Sequence, residues 1–197
     1  MGSGRTINLQ HGTKLIKRKA AKITTQFQLG VDDWVFFHLG EADCRIQLGR
    51  GYYPHTLQNI PSIVNKTLLD KCITNYINIL RKIPVKNLGV ISATTAYPPA
   101  FKAIQYFNHQ LQARTTNFID IFNRAFDGTD IKQNCKDADF KRDPLHLGSR
   151  VVDFFIEELA KRGIAKIANH SPTKPGYFNS LDIRTHFKVS RFGSYTV

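Results

Sequence analysis

The apolar residues of this chain occur in two kinds of pattern, short continuous runs and longer stripes at helical spacing. The continuous runs, which predict buried strands, are 34–39, 88–92 and 118–121. The stripes, which predict amphipathic helices, lie over 14–27, 60–80, 101–111 and 151–159. Because strands and helices alternate, the pattern predicts a parallel sheet covered by helices on both faces, in a three-layer α/β/α domain.

Turn-forming and polar residues separate these elements. A polar loop is predicted over 46–55, the helix that follows stops before Pro84, and the stretch 126–142 reads as a loop. The helix over 151–159 is predicted to end at Gly163, which suits the left-handed position after a helix. Residues 168–197 show no periodicity and are expected to form a tail. We therefore divide the chain into a domain over 1–163 and a basic C-terminal extension over 164–197.

Length and composition limit the class of protein. With 197 residues and 42% hydrophobic content, the chain has enough apolar material for one globular core. It contains no apolar run of membrane-spanning length and no secretory signal, which predicts a soluble, cytoplasmic protein. Its three cysteines are odd in number and lack C-x-x-C spacing, and its histidines lack metal-ligand spacing. We expect no disulfide framework, no metal and no cofactor.

The formal net charge of +13 raises the question of a nucleic-acid partner. Residues 1–29 carry six Lys/Arg and no Asp/Glu, residues 164–197 carry five against one, and residues 30–163 carry seventeen against fourteen. The excess therefore lies mainly in the two ends. No zinc finger, RRM or other nucleic-acid motif accompanies it, so nucleic-acid binding is not the favoured interpretation. The oligomeric state is left open.

Two segments contain residues suited to ester hydrolysis. Charged residues of the run 39–45 follow the first predicted strand, and open α/β sheets bind ligands at the carboxyl ends of their strands. Asp143 precedes His146 by three residues, a spacing at which a carboxylate orients the ring of a general base. No nucleophile accompanies them.

Several motifs, taken in order, resemble those of the SGNH (GDSL-type) hydrolase superfamily, in the branch whose third block is similar to GEIDCR. They are Phe37–Arg45, the pair Pro98-Pro99, the run 108–111, the strand run 118–121, Asp127-Gly128 and Asp143–His146. The resemblance covers about residues 29–162. It implies a flavodoxin-like α/β/α sheet and hydrolysis of a small ester or an acylated saccharide. In the family a serine attacks the ester, so the resemblance implies that His146 is the base and that Asp143 orients it.

The chain departs from the family at its first block. No Gly-Asp-Ser turn follows a strand, so the domain is expected to lack its first strand and the nucleophile to lie upstream or to be lost. Ser3-Gly4 resembles the second block, in which a glycine amide contributes to the oxyanion hole, and this assigns Gly4 to that role. Ser3 itself is interpreted as a turn residue, with a role as nucleophile as the alternative.

The third block supplies the remaining candidates. Gly40, Glu41, Asp43 and Arg45 are assigned to substrate or oxyanion binding, although Ala42 stands where many family members have asparagine. These charged residues could instead form a structural salt-bridge cluster at the end of the strand. Two histidines also have structural alternatives: His146 could cap the helix that follows it, and His38 is more simply a core residue.

Two functions from different classes follow from the sequence. The first is an SGNH-type esterase, removing an acyl or acetyl group from a carbohydrate or another small ester, or an N-terminally truncated form of such an enzyme. The second is a non-catalytic binding protein or pseudoenzyme on the same fold, with basic ends that hold a polyanion. The missing first block favours the second function for this chain, whereas Asp143 and His146 favour the first for a longer form.

Overall fold

A computed structural model describes residues 32–47, 64–136, 147–148, 150–164, 166–167 and 189–190. These residues divide into two compact units. The first contains the described residues up to 93 together with 98–120, and the second contains 94–97 and the described residues from 121 onward. The domain boundary expected between residues 163 and 164 stays a prediction.

The first unit contains a three-stranded parallel sheet. Its strands are β1 (Trp34–His38), β2 (Asn87–Ile91) and β3 (Phe118–Ile119), and they lie side by side in the order β1-β2-β3. Both pairs are parallel, and Phe36 is opposite Gly89 in the register. The parallel sheet predicted from the alternation of strands and helices is therefore confirmed as an α/β arrangement. The third strand was predicted over four residues, 118–121, but only Phe118 and Ile119 pair with β2.

Helices connect these strands. A short helix, α1 (Glu41–Ile46), and a longer one, α2 (Lys66–Leu80), follow β1, and α3 (Phe101–Arg114) follows β2 after a 3-10 turn over Pro98–Ala100. The helix predicted over 60–80 is thus confirmed from Lys66 to Leu80, and the helix predicted over 101–111 is confirmed.

The prediction that the first of these helices includes Val64 is wrong. Asn65 is the N-cap, and its side chain accepts a hydrogen bond from the backbone N–H of Leu68 at 3.0 Å. That bond satisfies one of the backbone donors at the start of the helix, so the chain becomes helical only after residue 65.

The apolar stripes of α2 and α3 form much of the core of the first unit. Its most completely buried large side chains are Leu69, Ile73, Tyr76, Ile104, Phe107 and Leu111. The hydroxyl of Tyr76 donates to the backbone carbonyl of Phe37 in β1 at 3.4 Å, so this polar group has a partner inside the core. Burial raises the pKa of Tyr76 well above its ordinary value, and the group stays protonated as a donor.

Replacing Tyr76 with phenylalanine tests this contact. We expect Tyr76→Phe to lower the free energy of unfolding by about 1 kcal/mol, the usual contribution of one buried hydrogen bond. Tyr106→Phe is the control, because the Tyr106 hydroxyl bonds to the half-exposed carboxylate of Asp70, and we expect a change within about 0.5 kcal/mol. Urea unfolding measures both, and equal losses would contradict a specific role for the Tyr76 hydroxyl.

The second unit contains α4 (Phe122–Ala125), a 3-10 turn over Gln133–Cys135, α5 (Arg150–Lys161) and two short antiparallel strands, β4 (Lys166–Ile167) and β5 (Val189–Ser190). The helix predicted over 151–159 and its end at Gly163 are confirmed. Gly163 has φ +64°, and the N–H of Ile164 donates to the carbonyl of Leu159 at 2.9 Å, as in a Schellman motif.

Two short elements were not predicted from the sequence. The segment after β1 forms the helix α1, and its last residue, Ile46, is the first residue of the predicted loop over 46–55. In residues 168–197, predicted as a tail, Val189–Ser190 pairs with Lys166–Ile167. A two-residue strand leaves no detectable alternation, which explains the omission. The helix predicted over 14–27 and most of the loop over 46–55 lie outside the described residues.

None of the helices in the described part of the chain is long and apolar enough to span a membrane.

Candidate functional site

The candidate site lies at the carboxyl ends of β1 and β2. Leu39 and Gly40 follow β1, and Ser92 and Ala93 follow β2. All four residues are buried. Because neighbouring parallel strands end at the same edge of a sheet, the two segments emerge at one edge, where α/β proteins bind ligands.

Gly40 provides the turn from β1 into α1. It has φ +103° and ψ −13° at the N-cap of α1, a conformation that residues with a side chain rarely adopt. The ring of Phe107 in α3 also packs directly on it, so that a Cβ at position 40 would lie 2.3 Å from ring carbon Cε1. Two independent constraints therefore require glycine here, a left-handed turn and a close approach of a buried ring.

Glu41 and Arg45 face each other one turn apart on α1. The guanidinium donates through Nε to Oε1 and through Nη2 to Oε2, the second bond at 3.1 Å. The side chain of Glu41 is 8% exposed and that of Arg45 is 15% exposed. In this bidentate pair two nearly buried charges neutralise each other, and the contact joins successive turns of the short helix. It is the kind of contact expected of a structural cluster, and a role for either residue in binding substrate stays a prediction.

Asp43 and Cys44 occupy the covered side of α1, where both are fully buried. Burial raises the pKa of the Cys44 thiol well above its ordinary value, and the neighbouring carboxylates of Asp43 and Glu41 raise it further. A thiol in such surroundings stays protonated at neutral pH and is a poor nucleophile. Cys44 is therefore unsuited to act as a nucleophile in this structure.

The cysteine environment predicts low thiol reactivity. Cys44, Cys72 and Cys135 are all buried, and burial raises the pKa of Cys135 as well. We expect the native protein to react with Ellman's reagent more slowly than the unfolded protein by a factor of about 100 or more, because the pKa and access both oppose attack. All three thiols should react at once in guanidinium chloride. Rapid modification of one thiol in the native protein, located by mass spectrometry, would contradict this account.

Asn108 fixes the segment after β2. This residue of α3 is 3% exposed, its Nδ2 donates to the carbonyl of Ala93 at 2.9 Å, and its Oδ1 accepts from the N–H of Ala93 at 2.7 Å. One side chain thus satisfies both backbone groups of a buried residue that has left the sheet. Asn108 was named from the sequence only as part of the run 108–111, and the feature that points to its role is an amide inside the apolar stripe of a helix.

Loss of this amide is expected to destabilise the protein. Asn108→Leu leaves two buried backbone groups of Ala93 without partners, and we expect a loss of about 2–4 kcal/mol in the free energy of unfolding. Gln105→Leu is the control, since it makes the same type of change at an exposed position of the same helix and should alter stability by less than about 0.5 kcal/mol. Denaturant unfolding measures both. Similar values for the two variants would contradict the role given to Asn108.

The structure describes only part of the predicted site. Glu41, Asp43 and Arg45 lie in α1, Gly40 is its N-cap, and His38 is half-buried in β1. Three predicted residues lie outside the described residues, namely Gly4, Asp143 and His146. Among the described residues, no group of three or more His, Cys, Asp or Glu side chains could hold a metal ion.

Comparison with known proteins gives no assignment. No protein-family model matches this chain, and neither the curated proteins nor the solved structures contain a match.

Proposed function

We propose that this chain is an SGNH-type ester hydrolase, or an N-terminally truncated form of one, that removes an acyl or acetyl group from a small ester or a saccharide. The observation that carries the proposal is the consecutive parallel order β1-β2-β3, with the third-block residues directly after β1. In a flavodoxin-like sheet the last three strands are neighbours in chain order, as here, and the first strand lies beside the third. The proposed correspondence therefore places the first strand beside β1.

The proposed reaction has the steps of a serine esterase. A serine hydroxyl attacks the ester carbonyl while His146 takes its proton, and Asp143 orients the imidazole and stabilises its charged form. The tetrahedral intermediate carries its negative charge on oxygen, where backbone N–H groups of Gly4 and Gly40 stabilise it. The intermediate collapses to an acyl-enzyme as the alcohol leaves with the proton held by His146. Water then attacks, with His146 as base, and releases the acid and the free serine.

Two contacts among the described residues support the proposal. The bidentate pair of Glu41 and Arg45 stabilises the short helix α1, which directly follows β1, and Asn108 holds the segment after β2. Both contacts stabilise backbone at the sheet edge where the ester would bind. A site of this kind needs such support, because rate depends on donors that are already in position when charge develops.

The test compares two proteins, the present chain and a version preceded by a strand and a Gly-Asp-Ser turn. We expect the longer protein to hydrolyse p-nitrophenyl acetate and to be labelled on that serine by a fluorophosphonate probe. The present chain should do neither. Turnover with labelling of Ser3 in the present chain would relocate the nucleophile. Failure of the longer, folded protein to turn over this or other acyl esters would contradict the hydrolase and favour a non-catalytic binding protein.

A further inference from the structure

The outer surface of α2, of α3 and of the connection that follows α2 is strongly basic. Residues 64–119 contain seven Lys/Arg and one acidic residue, Asp70. All seven basic residues are exposed, and they are Lys66, Lys71, Arg81, Lys82, Lys86, Lys102 and Arg114. This concentration is hidden when charge is counted over 30–163, because acidic residues elsewhere in that stretch balance it. We call the surface formed by these seven residues the basic face.

Contacts between the two helices show that they lie side by side. The Nζ of Lys66 lies 5.6 Å from the ring centroid of Tyr106, and Arg114 Nη1 lies 3.3 Å from Thr74 Oγ1. The second contact lies eight residues beyond the first in both helices, so α2 and α3 run parallel to each other. The exposed cations Lys66, Lys71, Lys102 and Arg114 therefore lie on two adjacent parallel helices, and Arg81, Lys82 and Lys86 follow the end of α2. A fifteen-residue helix such as α2 is about 22 Å long.

The charges of the basic face have few partners. Among the described residues, Arg114 is the member of the face with an ion pair, at 3.8 Å from Asp70, which also accepts from the Tyr106 hydroxyl. The basic residues of the second unit differ, since several have carboxylate partners. Those pairs are Arg124–Glu157, Lys136–Asp130, Arg150–Asp153 and Lys161–Glu158. Six exposed cations of the basic face thus lack a described counter-charge.

We propose that the basic face binds the phosphodiester backbone of a nucleic-acid duplex without reading its sequence. The exposed positions between its cations are small or polar, including Thr67, Asn78, Gln105 and Gln112. Without exposed large apolar residues the face has nothing to insert into a lipid interface. It also offers no free aromatic platform for single-stranded bases, because Lys66 lies over the ring of Tyr106. The face is long enough to follow about six base-pair steps.

This binding is independent of ester hydrolysis. Its affinity comes from release of counterions as lysine and arginine neutralise phosphates, so it falls steeply with salt. Contacts of this kind position a protein on a duplex but carry no sequence information. The affinity should therefore depend strongly on salt and be similar for unrelated sequences. Removing lysines of the basic face should weaken binding more than removing the same number of charges elsewhere.

The test measures binding of a short fluorescein-labelled DNA duplex by anisotropy, over a range of about 50–200 mM salt. One variant of the full chain removes three charges from the basic face by Lys71→Gln, Lys82→Gln and Lys102→Gln. The matched control removes three exposed charges of the second unit by Lys132→Gln, Lys161→Gln and Arg162→Gln. Both should keep the circular dichroism and unfolding transition of the parent, since all six positions are exposed.

We expect the variant of the basic face to bind at least about tenfold more weakly at low salt, with its log–log salt slope reduced by about 3. The control should change the slope by less than about 1. Equal losses in the two variants would overturn the proposal, because binding would then depend on total charge or on other segments. Absence of duplex binding by the parent would also overturn it. If the parent binds phosphatidylserine vesicles but not the duplex, and only the basic-face variant loses vesicle binding, the face binds a membrane and the proposal is overturned.

Discussion

Replacing His146 with asparagine is expected to lower kcat for a short acyl ester by a factor on the order of 10⁶ in a version of the chain that carries the serine. Asparagine keeps part of the hydrogen-bonding shape of histidine but cannot carry a proton near neutral pH. Asp143→Asn should lower kcat by about 10⁴, because the ring then loses the partner that fixes its tautomer. In the present chain both changes should have no effect on hydrolysis.

Two controls separate a base from a structural residue. Turnover should rise as the pH is raised from acidic to neutral, because a general base acts in its deprotonated form. His109→Asn, at an exposed position of α3, should leave turnover unchanged. A His146→Asn variant that unfolds with the parent yet retains turnover would remove His146 from the mechanism and support its alternative role as a helix cap.

Replacing Gly40 with alanine is expected to lower the free energy of unfolding by about 2–5 kcal/mol. A Cβ in the left-handed region costs about 1–2 kcal/mol. Overlap with the buried ring of Phe107 adds about 1–3 kcal/mol, since the atoms would approach to 2.3 Å and the ring has little room to move. Because domains have only about 5–15 kcal/mol of stability, this change alone could unfold a large part of the population.

Gly128 offers a matched control for this prediction. It has φ +108°, close to that of Gly40, but apart from its own chain neighbours no atom of the described residues lies within 4 Å of a Cβ placed there. Gly128→Ala should therefore show only the conformational loss of about 1–2 kcal/mol. Phe107→Leu should recover part of the additional loss when combined with Gly40→Ala, as a double-mutant cycle in urea would show. Equal losses at positions 40 and 128 would mean that the Phe107 contact contributes nothing.

The sequence predicted the elements whose side chains repeat over several turns or residues. α2 and α3 bury long apolar stripes at helical spacing, and β1 and β2 are continuous apolar runs. Both patterns involve enough residues to be recognised even where one residue departs from them. The helix α1 was not predicted because its six residues make fewer than two turns and are mostly charged or small, so they form no apolar stripe. The two-residue strand β5 is shorter than any detectable alternation.

The candidate site could be predicted only in part, for a different reason. The spacing of Glu41 and Arg45 allows a pair on a helix, and a salt-bridge cluster was considered, but the helix itself was not foreseen. The approach of Phe107 to Gly40 joins residues far apart in the chain, and no local pattern encodes it. Asn108 fits a helix stripe as well as an apolar residue would, so its role became visible only when its bonds to Ala93 were known.

The bonds between Asn108 and Ala93 impose unequal demands on the two positions. The amide contacts main-chain atoms, so the side chain at position 93 takes no part in the contact and is limited by its burial. Position 108 is more narrowly constrained, because aspartate lacks the donor that the carbonyl needs and glutamine carries its amide one methylene further out. In a saturation library selected for folding, we therefore expect small residues to be accepted at position 93 and asparagine alone to be retained at position 108.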